Sequence, residues 1–150
     1  YNMTGWRVGM AVGNADLIRA LFLVKSNLDS GVSQAVQHMG IRAMETPQSY
    51  LDERNAHYQI RRDKVISALK SLGLNVEPPK ASLYVWAPVP AGFTAASFAT
   101  AILDDLDMVV TPGTGYGKFG EGYIRLSLTL SDEDLEEGVR RLEAWKVPTP

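Results

Sequence analysis

A long polar stretch, bounded by Thr46-Pro47 at one end and Gly73 at the other, constrains this chain more than any other feature. Threonine before proline is a helix cap followed by the residue best tolerated at the first helical position. Glycine is the common left-handed stop. Between these marks Leu51, Tyr58, Val65 and Leu72 recur every seven positions, a narrow apolar stripe. A helix running from there to Leu72 has too little apolar surface to be the core helix of one small domain. It suits a bridge between two lobes. The boundary then falls inside the helix, roughly Tyr50–Tyr58, with 1–50 on one side and 51–150 on the other.

Short elements flank this helix. Trp6–Val12 alternates and is rich in β-formers, so it reads as a strand. Asn14 is an N-cap with Asp16 in the first turn, predicting a helix over Ala15–Leu23. Val32, Ala35, Val36, Met39 and Ala43 give a second helix, capped near Asp29 or Ser30. Beyond the long helix, Ser82–Ala87, Met108–Thr111 and Tyr123–Leu128 read as strands. Thr94–Leu106 reads as a helix with Phe98, Ile102 and Leu106 on one face. Ser131 caps a last helix carrying Leu135, Val139 and Leu142. The pattern is α/β, a small sheet covered by helices.

Composition closes off several classes of function. The 150 residues are 45% hydrophobic and 21% charged, ordinary for a globular chain. A net charge of -2 with interspersed signs leaves no basic face for nucleic acid. No apolar run reaches the roughly 20 residues a membrane span needs. The lack of cysteine excludes disulfides and thiolate metal sites and fits a cytoplasmic place. His38 and His57 are too few and too separated to suggest zinc. Tyr1 opens directly into a dense motif without a methionine or leader, which reads as a truncated start.

Arg7 closes the turn Tyr1-Asn2-Met3-Thr4-Gly5-Trp6-Arg7. Its planar fork of donors could grip a phosphate, or it could be a surface arginine beside a turn. Arg125 sits mid-strand and shares a face with Tyr123 and Ser127, opposite Ile124 and Leu126. A cation on a core strand needs an anion, supplied by the protein or by a substrate. Gly115-x-Gly117-x-x-Gly120 matches a dinucleotide fingerprint, but a strand follows it where that motif needs a helix, so it reads as a loop. Ser26-Asn27-Leu28-Asp29-Ser30-Gly31 reads as a capping turn between helices. Ser131-Asp132-Glu133-Asp134 is an acidic helix start.

Together these segments resemble the class I/II aminotransferases, the fold-type I family of pyridoxal-phosphate enzymes. The opening residues are similar to the end of the family's Ser-Lys-x-Tyr-Asn-Met-x-Gly-Trp-Arg signature. The Asn27 turn, Pro78–Trp86 and Pro112-Gly113 through Gly122-Tyr123-Ile124-Arg125 follow in the family's order. Ser26–Gly31 and Ser82-Leu83-Tyr84-Val85-Trp86-Ala87-Pro88 resemble its LL-diaminopimelate aminotransferase branch. The resemblance implies the C-terminal small domain of the aminotransferase fold over 51–150, with 1–50 as the tail of the large cofactor domain.

It also implies roles. Arg7 matches the arginine that binds the phosphate of pyridoxal 5'-phosphate. Arg125 matches the arginine that clamps the substrate α-carboxylate. Asn27 resembles a residue that reaches the neighbouring subunit's site in a homodimer. Enzymes with a distal arginine for dicarboxylates carry it four positions before the matching serine; here that position is Phe22. The family's Schiff-base lysine lies two residues before the matching tyrosine, so it would lie upstream of Tyr1, and no catalytic residue is assigned here. None of Lys25, Lys64, Lys70, Lys80, Lys118 and Lys146 has such a context. The implied parent moves an amino group from an amino acid to a 2-oxo acid, and this chain alone is expected to be inactive. A non-catalytic folding or dimerisation module, or a lyase or synthase of the same fold, are the alternatives.

Overall fold

The computed structural model describes residues 1–150. It divides into two compact units, Tyr1–Glu53 and Arg54–Pro150.

In the first unit, α1 (Ala15–Leu28) starts where Asn14 Oδ1 accepts hydrogen bonds from the amides of Asp16 and Leu17, at 3.0 and 3.2 Å. It runs past the predicted end at Leu23. Nothing from Val24 to Leu28 breaks a helix, and Lys25 pairs with Asp29 one turn on. The second helix, α2 (Gln34–Met44), begins after Ser33, later than the predicted Asp29 or Ser30. Asp29 Oδ1 instead accepts from the Gly31 amide at 2.8 Å, and Gly31 is left-handed at φ +83°. That side-chain turn holds these residues outside the helix.

The predicted strand Trp6–Val12 does not form. Thr4–Trp6 is a single 3-10 turn, and irregular chain follows it to Gly13. Alternation makes a strand only where another strand supplies hydrogen-bond partners, and none pairs with this segment. No residue of the first unit is buried; Val12 is 84% and Phe22 70% exposed.

The unit boundary falls within α3 (Gln48–Ser71). Its end is a left-handed glycine stop: Gly73 has φ +82°, and the Leu74 amide reaches back to the Leu69 carbonyl at 3.2 Å. Burial departs from the seven-residue stripe. Val65, Ile66, Ala68 and Leu69 are buried, whereas Tyr58 and Leu72 only pack against the core edge. The last turns of α3 therefore present a broad face to a core.

The second unit continues with β1 (Tyr84–Pro88), α4 (Ala95–Leu106), β2 (Thr111–Pro112), β3 (Tyr123–Ser127) and α5 (Asp132–Ala144). The strands form an antiparallel sheet in the order β1-β3-β2. The predicted strand Met108–Thr111 shrinks to Thr111–Pro112, because Asp107 is left-handed at φ +51° and Val110 turns into the core. Proline suits this edge, since it has no N–H to give a further strand.

Burial alternates along the strands. Val85 and Ala87 of β1 and Ile124 and Leu126 of β3 face the core, which includes Phe98, Ile102, Leu69, Leu135 and Leu142. Phe98 packs against Phe93 and Trp145, with centroids 5.2 and 5.7 Å apart. Thr94 caps α4 through a reciprocal box with Ser97, and Ser131 caps α5 by accepting from the Asp134 amide at 3.1 Å. Arg61 ties α3 to the start of α5, bonding Asp132 at 2.7 Å and the Leu128 carbonyl at 2.9 Å.

Candidate functional site

The outward face of the sheet carries the site of the second unit. Register places Tyr84 beside Ser127, Trp86 beside Arg125 and Thr111 on the other flank of Arg125. All of these side chains share the face opposite the core. Arg125 is half-buried on the open face, with Tyr123 and Ser127 and opposite Ile124 and Leu126, as the strand alternation predicts.

Arg125 has no protein anion. No carboxylate of the unit pairs with it; its Cζ lies over two phenol rings instead, 4.0 Å from the centroid of Tyr84 and 4.5 Å from that of Tyr116. The ring faces stabilise the cation without neutralising it. Trp86 extends the layer, edge-on to Tyr116 at 5.9 Å and stacked with Tyr123 at 5.6 Å. A guanidinium held this way keeps donors for a planar anion.

Tyr116 comes from the glycine-rich loop. The loop folds as two 3-10 turns, Gly113–Tyr116 and Lys118–Gly120, and then enters β3, so the dinucleotide geometry is absent. Two glycines are required by contact. A Cβ on Gly113 would lie 2.1 Å from the Gly120 carbonyl oxygen, and one on Gly120 would lie 2.0 Å from that of Gly113. The loop closes backbone against backbone, which no side chain permits.

Glu121 fixes the end of this loop. Its Oε1 accepts from the Ala95 amide at 2.7 Å, at the start of α4, and from the Gly122 amide at 2.9 Å. Those two amide donors hold its carboxyl below the ordinary value of 4.5.

Arg7 and Asn27 belong to the first unit. Arg7 follows the 3-10 turn in the left-handed region, φ +52°, and donates from Nη1 to the Thr4 carbonyl at 3.3 Å. It lines a cavity of about 630 Å³ together with Thr4, Val8, Gln37 and Ile41. Asn27 does not line that cavity. It sits in the last turn of α1, inside the helix rather than in the loop predicted there, and Nδ2 donates to the Leu23 carbonyl at 2.7 Å. Asp29 has its carboxyl lowered chiefly by Lys25 and then by the Gly31 amide, the mark of a capping turn.

Sequence reasoning placed Arg125 beside Tyr123 but missed Tyr84, Trp86, Tyr116 and Glu121. For Tyr84 and Trp86 the signal was the period-two spacing in Tyr84-x-Trp86 and Tyr123-x-Arg125, once the register set one pair beside the other; Tyr116 and Glu121 lie in the loop and carried no such signal.

The second unit is an α/β domain with a small antiparallel sheet, an arginine without a carboxylate partner on its open face and a glycine-closed loop. The chain belongs to the aminotransferase class I and II family, whose description matches residues 1–142. It is 60% identical over 146 residues to an LL-diaminopimelate aminotransferase of Dehalococcoides mccartyi strain 195, covering 97% of this chain and 38% of that protein. A second LL-diaminopimelate aminotransferase, from Moorella thermoacetica, is 54% identical, with 95% and 36% covered. Among solved structures, an aminotransferase from Staphylococcus aureus superposes with a TM-score of 0.83 at 34% identity, covering 95% of this chain and 38% of that one. A probable N-succinyldiaminopimelate aminotransferase from Thermus thermophilus also gives 0.83, at 30% identity and the same coverage. The chain therefore spans under two fifths of the length of these relatives. The family generally depends on pyridoxal phosphate. No helix is long and apolar enough to cross a membrane.

Proposed function

We propose that this chain is the substrate-gripping part of an amino-acid aminotransferase, with Arg125 as the clamp for the α-carboxylate of the amino acid and of the 2-oxo acid in turn. The observation that carries this is the guanidinium of Arg125, left without a protein anion and backed by two aromatic rings. A buried or half-buried cation lacking its own counter-ion is poised for one from outside. A bidentate ion pair would fix both the position and the rotation of a substrate about its carboxylate.

The first unit fits a phosphate group. Arg7 is an exposed arginine on a tight turn at the rim of a cavity, and its bond to the Thr4 carbonyl leaves most of its donors for an anion. In this reading Arg7 holds the phosphate of pyridoxal 5'-phosphate, which supplies the electron sink for amino transfer. Residues 1–50 then belong to the cofactor domain and 51–150 to the small domain. Phe22, where an arginine would favour a second carboxylate, argues against an aspartate-type distal clamp. The names of the relatives support an LL-diaminopimelate-type donor. The parent is read as a cytoplasmic homodimer, with Asn27 exposed near the end of α1 and contributing to the partner's site.

The test is Arg125→Leu in the full-length protein. The expected result is a KM for the amino acid raised by about a hundredfold or more, the loss of one charged bidentate contact. Unchanged KM would remove Arg125 from the substrate site.

A further inference from the structure

Carboxylate capture needs more than a free guanidinium; it needs one that does not wander. An unpaired arginine side chain has many rotamers, and freezing them at the moment of binding costs affinity. Here two rings do the freezing in advance. Tyr84 reaches Arg125 from β1, two residues along from the directly opposed Trp86, and Tyr116 reaches it from the loop before β3. Trp86 in turn braces Tyr116 edge-on and stacks on Tyr123.

We propose that Tyr84 and Tyr116 are positioning residues for Arg125, which pre-set its guanidinium and restrict the anions it accepts to those that approach away from the two rings. The inference rests on the reading of Arg125 as a carboxylate clamp. Aromatic faces carry negative quadrupole density, so they attract the cation and repel an anion arriving over them. Two approach directions to Arg125 are thereby closed. The N–H groups pointing away from the rings stay available, and they suit a planar anion with two oxygens on one side. The rings work through their faces, so the phenol hydroxyls are dispensable.

The experiment uses the full-length, cofactor-loaded enzyme with Tyr116→Leu, Tyr84→Leu, Tyr116→Phe and Tyr84→Phe, and propionate as a probe that offers only a carboxylate. Tyr116 is 52% exposed, so leucine there leaves the core untouched. Both leucine variants should raise the amino-acid KM and the propionate inhibition constant by the same factor, about three- to tenfold, with kcat within about twofold. Both phenylalanine variants should match the parent. A raised KM with unchanged propionate inhibition would overturn the proposal, because the rings would then touch another part of the substrate. Phenylalanine variants as impaired as the leucine ones would overturn it too. If Arg125→Leu leaves propionate inhibition unchanged, the clamp reading itself fails; if that variant loses inhibition and the leucine variants do not, only the positioning role fails.

Discussion

The carboxylate of Glu121 bonds the backbone amide of Ala95, 26 residues away, at 2.7 Å. It thereby joins the loop that presents Tyr116 to the first turn of α4, and the partial positive charge of that helix end favours the contact. Glu121→Ala should lower Tm, and Glu121→Gln, which keeps an acceptor, should lower it less. Faster amide hydrogen exchange at Ala95 and Gly122 checks the cause. Equal exchange in the variant and the parent would show that the bond does not hold the loop.

Acid sensitivity should come partly from α5. Glu137 accepts from Arg140 and then Arg141, which lower its carboxyl from 4.5 to about 2. A carboxylate with a depressed folded pKa contributes stability above its unfolded value, and that contribution is lost as pH falls. The window lies between pH 4.5 and about 2. All three side chains reach solvent, so salt should shrink the effect. Glu137→Gln should flatten the decline of Tm across that window; an unchanged slope would assign the decline to other carboxylates.

The loop glycines should differ sharply. Gly113→Ala and Gly120→Ala each drive a Cβ into a backbone carbonyl and should displace Tyr116 from Arg125. Gly115→Ala meets only the Thr111 methyl, at 3.8 Å, and should be tolerated. Thermal melts of the three variants, ranked with Gly115→Ala highest, check this.

Core loss is the last prediction. Phe98 is fully buried between Phe93 and Trp145, so Phe98→Ala should cost about 3–5 kcal/mol, read by urea denaturation. A cost under about 1 kcal/mol would mean that the site collapses around the gap.

The second unit was largely legible in the sequence because its signals are local. Thr94 and Ser131 announce their helices by capping chemistry, and Ile124 and Leu126 alternate with Arg125. Trp6–Val12 misled because alternation names only a tendency that a partner strand must complete, and no strand of the chain pairs with it. The glycine spacing at 115–120 reads as a loop because a strand follows it, and a loop of two 3-10 turns forms there. What the spacing does not carry is the close contact of Gly113 with Gly120, which no linear motif encodes. Arg125 stood out as a cation on an apolar strand, but Tyr84 and Trp86 become its neighbours only through the β1–β3 register, and Tyr116 only through the fold of the loop.

The alternation of β1 and β3 gives the sheet two independent alphabets on the same strands. Val85, Ala87, Ile124 and Leu126 answer to the core, while Tyr84, Trp86, Tyr123 and Ser127 surround Arg125 on the other side. Descendants of one scaffold can therefore diverge in what they recognise by exchanging every second residue, and inherit their folding unchanged. A laboratory library drawn at Tyr84, Trp86 and Tyr123 would retrace that route, with most of its members still folded.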